Sequence, residues 1–124
     1  MHLQYKTKSR PADFAAVKEA LDTGSATVID VRNPGELQEK GKLPKAVNVP
    51  MTELKEAMEL SPEEFQNKYG FVQPSQSDPL IVHCNRGGRA ARAATQLTES
   101  GFSNVRLYQG SFNDWVSNGG PLEK

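Results

Sequence analysis

Short apolar runs alternate with amphipathic segments along the chain. Four runs of aliphatic and β-branched residues predict strands, at residues 26–31, 46–49, 80–83 and 105–108. The amphipathic segments predict helices, at residues 11–23, 34–40, 52–59, 62–69, 89–100 and 111–116. Strands that alternate with helices in this way are typical of an α/β domain with a mainly parallel sheet.

The first predicted helix carries its own boundary signals. Phe14, Val17 and Leu21 share one helical face, which marks the side that packs on the core. Pro11 is suited to a first helical turn because it needs no hydrogen-bond partner for an N–H, and Gly24 is suited to the exit. We therefore expect this helix to begin near Pro11 and to end at Gly24.

The helix over residues 62–69 has a clear start signal. Ser61 is suited to the cap and Pro62 to the first helical position, while Glu64 is placed to reach back to the cap. Gly70 is expected to end this helix. The later helix over residues 89–100 presents an apolar face, formed by Ala90, Ala93, Ala94 and Leu97.

In open parallel sheets, ligands bind beyond the carboxyl ends of the strands. The segments to search for chemistry are therefore those that follow Asp30, Val49, His83 and Tyr108. The segment after His83 is distinctive, because it begins with Cys84, the only cysteine in the chain.

Composition limits the classes of function. The chain has 124 residues, a length that one hydrophobic core serves, so we expect one domain over residues 1–124. Fifteen Lys and Arg residues balance fifteen Asp and Glu residues, which argues against a nucleic-acid or membrane-surface partner. No apolar run of about eighteen residues is present, so the sequence predicts no membrane span. We expect a monomer.

Cysteine usage narrows the picture further. One cysteine and two histidines predict no disulfide framework, no metal site and no other cofactor. A lone thiol fits a reducing compartment, so we expect a cytoplasmic protein, with a mitochondrial location as the alternative. Residues 1–10 lack the apolar core of a signal peptide and are too short and mixed to define a transit peptide. A longer natural precursor remains an alternative.

The segment after the strand at residues 80–83 leads directly into a helix, so Cys84 lies at a strand-to-helix turn. The first N–H groups of a helix have no partners within the helix, and the helix dipole adds partial positive charge there. Both features favour a thiolate over a thiol. The alternative is that Cys84 is an inert, small apolar side chain at the end of a buried strand.

The residues around Cys84 favour the reactive interpretation. Arg86 and Arg89 add two positive charges beside the sulfur. Gly87 and Gly88 permit the backbone angles that turn main-chain amides inward around an anion. The sequence therefore predicts that Cys84 is a thiolate nucleophile at neutral pH.

This loop resembles the active-site loop of the rhodanese-like sulfurtransferases, Cys-x-x-Gly-x-Arg, with Cys84, Gly87 and Arg89 in register. The likeness extends over about residues 10–120 and includes two further family signatures. The matching residues are Asp30, Val31, Arg32, Glu36, Gly41, Pro44, Ala46, Asn48, Val49 and Pro50 in one, and Gly101, Phe102, Val105, Tyr108, Gly110 and Trp115 in the other. The resemblance implies a rhodanese-like three-layer α/β domain, with a central, mostly parallel sheet of about five strands and helices on both faces.

Two other segments resemble the small single-domain thiosulfate sulfurtransferases of eukaryotes. They are Leu-Ser-Pro-Glu-Glu-Phe at residues 60–65 and Gly-Ser-Phe-Asn-Asp-Trp at residues 110–115. Many rhodaneses carry a second glycine where this chain has Ser111. That departure agrees with the single-domain group.

The resemblance implies a double displacement. Cys84 attacks the outer sulfur of thiosulfate, sulfite leaves, and a persulfide remains on Cys84. Inward main-chain amides would stabilise the persulfide, and Arg86 and Arg89 would orient the sulfonate, although Arg89 can instead brace the loop. The implied substrate-binding residues are Asn85, Arg86, Gly87, Gly88 and Arg89.

The sulfur acceptor has to come from outside the chain, because no second cysteine is present to resolve the persulfide. Candidates are glutathione, another small thiol, cyanide or a partner protein. The resemblance favours glutathione or a similar thiol. A small anionic donor and an external thiol are therefore the expected partners.

Several residues near the loop allow two interpretations. Asp30 and Arg32 follow a strand end and are candidates for the pocket mouth; alternatively Arg32 pairs with Glu36, or Asp30 forms a pair, and pins the next loop. His83 should point to the face opposite Cys84 and pack in the core rather than act as its base. Arg92 either extends the positive field or lies on a solvated helix face.

Other functions stay open. Phosphatases and arsenate reductases also place Cys and Arg on a strand-to-helix loop, but theirs is Cys-x5-Arg, whereas four residues separate Cys84 from Arg89. The shorter loop fits one added sulfur atom better than a phosphate. Non-catalytic rhodanese-like binding modules usually lose the Cys or the Gly and Arg that this chain keeps. A sulfur-relay role would share the chemistry and differ in the acceptor.

Overall fold

The computed structural model describes residues 10–124, and their five strands form one sheet. The part of the expected domain over residues 1–9 lies outside the described residues. The strands are β1 (Arg10–Pro11), β2 (Thr27–Asp30), β3 (Val47–Asn48), β4 (Leu80–His83) and β5 (Val105–Leu107). They lie in the order β1-β5-β4-β2-β3, and every pairing is parallel. The prediction of about five mostly parallel strands is confirmed.

Six α-helices connect the strands in the described part of the chain. They are α1 (Phe14–Thr23), α2 (Pro34–Lys40), α3 (Leu54–Glu59), α4 (Pro62–Tyr69), α5 (Gly88–Glu99) and α6 (Ser111–Ser117), with a 3-10 turn at Met51–Glu53 before α3. Between residues 10 and 124, none of the helices combines the length and apolar character that crossing a bilayer requires.

The sheet carries a hydrophobic core on each face. Leu80 and Val82 of β4 pack in one cluster with the buried face of α5, whereas Ile81 packs in the other, with side chains of α1 and α6. Strands covered on both faces are uninterrupted apolar runs, which is why Leu-Ile-Val is a clear strand signal. The predicted apolar face of α5 is confirmed, since Ala90, Ala93, Ala94 and Leu97 are all buried.

The start of α1 differs from the prediction. Pro11 does not lie in the first helical turn; it belongs to β1, where it pairs with Leu107 of β5. Asp13 is the N-cap instead, and its carboxylate accepts a hydrogen bond from the Ala16 N–H at 2.9 Å. Proline is compatible with an edge strand because it lacks only a donor, and a strand of two residues is too short to show alternation. The predicted exit at Gly24 is confirmed, with a φ of 74°.

The capping box of α4 is confirmed. The Glu64 N–H donates to the Ser61 hydroxyl at 3.1 Å, and the Ser61 N–H donates to the Glu64 carboxylate at 3.2 Å. Pro62 is the first helical residue and Gly70 ends the helix in a left-handed conformation. These local signals set the position of α4 without help from distant residues.

The parallel arrangement brings two loops to the same edge of the sheet. In β2 and β4, which are adjacent, Asp30 lies opposite His83. The segment after Asp30 and the loop that begins at Cys84 therefore leave the sheet side by side.

Candidate active site

Main-chain N–H groups converge on the sulfur of Cys84. The Gly87 N–H donates to Sγ at 3.0 Å and the Ala90 N–H donates to it at 3.4 Å. Both groups are available because the first N–H groups of α5 have no partners within the helix. The Ser111 hydroxyl also approaches the sulfur, with 3.9 Å between Oγ and Sγ.

The environment of Cys84 combines burial with polar contacts. Its residue surface is only 1% exposed. Burial raises the pKa of the thiol, but hydrogen bonds from the Ala90 and Gly87 amides outweigh it, together with the Ser111 hydroxyl and the Arg86 amide, so the pKa lies below the ordinary value. The geometry therefore favours the thiolate, as a reactive cysteine requires.

An open pocket of about 280 Å³ lies over the loop. Cys84 forms part of its lining, so a small molecule that enters the pocket lies next to this residue. The lining residues are Cys84, Asn85, Arg86, Gly88, Arg89 and Arg92. Gly87, which completes the predicted set, is buried and contributes its N–H to the sulfur.

Arg89 ties the loop to α2. Its guanidinium forms two hydrogen bonds with the Glu36 carboxylate, at 2.7 and 3.0 Å. Glu36 is itself held by the Asn33 N–H at 3.1 Å as part of the cap of α2. The hydrogen bonds from Arg89 are the main cause that lowers the pKa of Glu36 to about 2. Arg89 therefore braces the Cys84 loop against α2, as the sequence allowed. The pairing also neutralises one of the positive charges at the pocket.

Loss of the Glu36–Arg89 pair should lower the free energy of unfolding at neutral pH and change it little at acidic pH. Because the folded-state pKa of about 2 lies below the ordinary 4.5, the stabilisation is complete above pH 4.5 and is lost as the pH falls toward 2. Glu36 is 29% exposed, so we expect Glu36→Gln to cost about 1–2 kcal/mol at pH 7.

Urea unfolding at pH 7 and at about pH 3 measures this effect. The difference between Glu36→Gln and the unmodified protein should fall by more than half at the lower pH. Glu39→Gln, an exposed change on the same helix, is the matched control and should be near neutral at both. A Glu36→Gln penalty of the same size at both pH values would contradict the assignment.

Asp30 and Arg32 do not line the pocket mouth, and that expectation is wrong. Both side chains are 0% exposed, and Arg32 donates from Nε and Nη2 to the Asp30 carboxylate at 2.7–3.1 Å. Arg32 also donates to the Gly41 carbonyl at 3.0 Å and stacks over Phe112 at 4.2 Å from the ring centre. Of the two alternative pairs, the structure has the one that involves Asp30: Asp30 pairs with Arg32 and holds the start of the following loop. Arg32 does not pair with Glu36, because Glu36 pairs with Arg89.

His83 packs in the core, as predicted. Its side chain is fully buried, with Nδ1 at 3.1 Å from the Cys84 carbonyl and Nε2 at 3.7 Å from Asp30 Oδ2. Burial is the main cause that lowers the pKa of His83. A neutral imidazole turned toward the Cys84 carbonyl has no hydrogen bond to the sulfur and is not placed to act as its base.

Sequence reasoning missed two contacts of the sulfur. Ala90 was predicted only as part of an apolar helix face, although its position in the first turn of α5 already indicated a free N–H. For Ser111 the sequence indicates only a departure from the family pattern. Its approach to Cys84 depends on how α6 packs against the loop, which no local signal encodes.

The loop conformation depends on the absence of a side chain at Gly87. Its φ is 108°, and an added Cβ would lie 2.3 Å from the main-chain oxygen of Gln109. Gly87→Ala should therefore displace the loop and weaken the Gly87 N–H contact with the sulfur. We expect a loss of roughly 1–3 kcal/mol in stability and a raised thiol pKa.

Two other glycines separate the causes. Gly24→Ala introduces the same left-handed strain at a φ of 74° without any close neighbour, and Gly88→Ala introduces neither. Thermal unfolding measures the stability of each variant, and the pH dependence of Cys84 alkylation measures its thiol pKa. We expect a raised thiol pKa in Gly87→Ala and in neither Gly24→Ala nor Gly88→Ala. A thiol pKa in Gly87→Ala equal to that of Gly24→Ala would show that the conformation of this loop does not control the sulfur.

Comparison with known proteins is consistent with this geometry. A family model described as Rhodanese-like domain matches residues 13–118. The chain is 37% identical over 109 residues to Rhodanese domain-containing protein CG4456 of Drosophila melanogaster, covering 88% of this chain and 98% of that one. It is 33% identical over 101 residues to the thiosulfate:glutathione sulfurtransferase of Homo sapiens, covering 81% and 87%. The solved structure of the human single-domain sulfurtransferase TSTD1 matches with a TM-score of 0.83 at 28% identity, covering 88% of this chain and 96% of that chain.

Proposed function

The chain belongs to the rhodanese-like domain family, and from this premise we propose that it is a thiosulfate sulfurtransferase that works through a persulfide on Cys84. The observation that carries the proposal is the pair of main-chain N–H groups, from Gly87 and Ala90, that donate to the sulfur of a residue that lines an open pocket. The name of its human relative supports thiosulfate as donor and glutathione as acceptor.

The first half-reaction loads the enzyme. The Cys84 thiolate attacks the outer sulfur of thiosulfate, a bond forms between the two sulfur atoms, and the sulfur–sulfur bond of thiosulfate breaks so that sulfite leaves with the electron pair. The persulfide that remains is anionic at its outer sulfur. Donors fixed before the reaction stabilise that charge without reorganisation, and such donors are commonly worth about 2.7–4 kcal/mol each.

Donor binding uses the guanidinium groups that have no carboxylate partner. Arg89 is paired with Glu36, whereas Arg86 and Arg92 are exposed at the pocket and form no ion pair with any residue between 10 and 124. We therefore assign the sulfonate end of thiosulfate to Arg86 and Arg92, and the bracing of the loop to Arg89. The sequence had favoured Arg86 together with Arg89.

The second half-reaction needs an external acceptor, because the chain has no other thiol. A glutathione thiolate attacks the outer sulfur of the persulfide, takes that sulfur, and returns Cys84 to its thiolate. Sulfur is transferred between thiol compounds with no separate oxidant or reductant. The pocket is open, so the acceptor reaches the sulfur from the same side as the donor.

The assignment of the sulfonate predicts a split in kinetic constants. Arg86→Ala and Arg92→Ala should each raise the KM for thiosulfate about 5- to 20-fold, because each removes a charge-assisted contact to the donor. Lys55→Ala removes an exposed positive charge on α3 and is the control. Steady-state assays at varied thiosulfate measure the change. An unchanged KM in both arginine variants would refute this binding mode.

Intact-protein mass after exposure to thiosulfate tests the proposed function. We expect a gain of one sulfur atom, and its removal by glutathione with release of glutathione persulfide. No gain at any thiosulfate concentration would instead support a binding module. Hydrolysis of a phosphate ester faster than sulfur transfer would support a phosphatase.

A further inference from the structure

A second cavity lies on the outer face of α5, beside the active-site pocket. Its volume is about 450 Å³, within the range that small ligands fill. We call it the α5 groove, and its lining residues are Ala91, Arg92, Thr95, Gln96 and Glu99. Arg92 also lines the pocket over the Cys84 loop, so the two spaces meet at its side chain. A ligand in the active-site pocket can therefore extend along α5.

The α5 groove is too long to be explained by the sulfur donor. The helix rise between Arg92 and Glu99 is about 10 Å. Thiosulfate is a compact ion whose sulfonate is assigned to Arg86 and Arg92, so it leaves the rest of the groove unused. The other substrate of the proposed reaction is glutathione, a tripeptide long enough to occupy both spaces.

The two ends of the groove carry opposite charges. Arg92 lies at the end next to the pocket and Glu99 at the other end; both are exposed. Neither forms an ion pair with any residue between 10 and 124. Glu99 is the last residue of α5, where the helix dipole disfavours a carboxylate, so helix stability does not explain it. A ligand that complements the groove carries an anionic group near Arg92 and a cationic group near Glu99.

Gln96 supplies an amide between the two charges. Its side-chain carbonyl oxygen is buried and has no hydrogen-bond partner among residues 10–124. Turning this amide into the groove would therefore break no hydrogen bond of the oxygen and would offer it to a peptide N–H. The Thr95 side chain is exposed beside it on the same helix. Between its charged ends, the groove thus offers hydrogen-bonding groups to a peptide bond.

We propose that the α5 groove binds the γ-glutamyl arm of glutathione, with its ammonium group at Glu99 and its peptide bond at Gln96, so that the thiol faces the persulfide on Cys84. This inference rests on the proposed function. Sulfite leaves before the acceptor reacts, so Arg92 is then free to bind a carboxylate of the peptide. The groove therefore selects a thiol peptide with an ammonium group at the far end from its sulfur.

The length of glutathione fits this placement. The Ala90 N–H donates to the Cys84 sulfur, and the helix rise from Ala90 to Glu99 is about 13 Å. Helix side chains tilt toward the N-terminus, so the Glu99 carboxylate lies nearer to the sulfur than its Cα does. In the extended tripeptide, the thiol and the ammonium are about 10 Å apart. The thiolate attacks the outer sulfur of the persulfide, and Cys84 leaves with the electron pair of the broken sulfur–sulfur bond.

An analogue without the ammonium group tests the contact with Glu99. Glutaryl-cysteinyl-glycine keeps the length, the thiol and both carboxylates of glutathione and has hydrogen in place of the amino group. We expect the unmodified protein to transfer sulfur to glutathione with a kcat/KM about 3- to 10-fold above that for the analogue. Glu99→Gln should lower kcat/KM for glutathione by the same factor and leave that for the analogue unchanged, because both changes remove the same contact.

Two further variants complete the comparison. Glu63→Gln removes an exposed carboxylate from α4 and should keep the full preference for glutathione over the analogue. Gln96→Ala should lower kcat/KM for both peptides alike, because the peptide bond is common to them. The proposal is overturned if the unmodified protein uses both peptides equally well, or if Glu99→Gln keeps the full preference for glutathione.

Transfer to cyanide keeps this inference separate from the proposed function. Cyanide has no ammonium group, so Glu99→Gln should form thiocyanate from thiosulfate at the rate of the unmodified protein. If the unmodified protein forms thiocyanate but does not distinguish the two peptides, only the acceptor site is wrong. If it forms no thiocyanate and gains no sulfur from thiosulfate, the proposed function itself is wrong, and the acceptor site is wrong with it.

Discussion

Cys84→Ser should lose sulfur transfer by roughly 10³-fold or more and should gain no sulfur from thiosulfate. An oxygen in place of the sulfur keeps the size of the side chain and its contacts with the Gly87 and Ala90 amides. The hydroxyl stays protonated at neutral pH, so no anionic nucleophile is available to open the sulfur–sulfur bond. Transfer from thiosulfate to glutathione and the intact mass are the two measurements.

Two comparisons make the Cys84 result specific. Cys84→Ala should be equally inactive, because the effect comes from the lost nucleophile and not from the new hydroxyl. Thermal unfolding should show that both variants keep the fold, since each replaces the sulfur by a group of similar or smaller size. Transfer by Cys84→Ser at a tenth of the original rate or more would remove Cys84 from the mechanism.

Asp30→Asn should lower the free energy of unfolding by about 3–5 kcal/mol. Arg32 is 0% exposed, so removing the carboxylate leaves a guanidinium charge buried without its counter-charge. The cost is that of an unpaired buried ion and is not a measure of what the intact pair contributes. Urea unfolding at neutral pH gives the difference directly.

A surface pair and a double variant provide the controls. Lys18→Gln breaks the exposed pair with Asp22, which has a similar separation of 3.0 Å, and should cost well under about 1 kcal/mol. Asp30→Leu combined with Arg32→Met should recover much of the stability lost in Asp30→Asn, because both charges of the buried pair are removed together. A loss in Asp30→Asn no larger than in Lys18→Gln would contradict the structural role of the pair.

Local chemistry explains which elements the sequence predicted. The strand at residues 80–83 is an apolar run after a proline, and the helix start at Ser61 is complete within four residues. The helix over residues 34–40 has the predicted bounds for the same reason, since its first residue is Pro34 and Gly41 follows its last. These signals act within one or two turns of chain and need no tertiary context.

The features that the sequence did not predict depend on distant partners. Pro11 becomes a strand residue only because β5, far along the chain, pairs with it. Whether the Arg32 side chain points inward or outward could not be predicted from the alternation of side chains along a strand, because β2 ends before Arg32. Its inward orientation depends on its contacts with the Asp30 carboxylate and the Phe112 ring. Ser111 reaches Cys84 across 27 positions of sequence.

The candidate site also contains features that depend on local sequence and features that depend on distant residues. The cysteine, the glycines and the positive charges of the loop are local and were predicted from residues 84–89. The role of each arginine was not, because the partner of Arg89 is Glu36, on another helix. Spacing alone does not show which guanidinium is already neutralised.

The pH dependence of Cys84 alkylation in the unmodified protein tests the central claim most directly. Amides from Gly87 and Ala90 outweigh burial and place the thiol pKa below its ordinary value. The alkylation rate should therefore reach its midpoint clearly below about pH 8.5, the value of a free cysteine. A midpoint at or above about pH 8.5 would show that these amides do not hold an anionic sulfur.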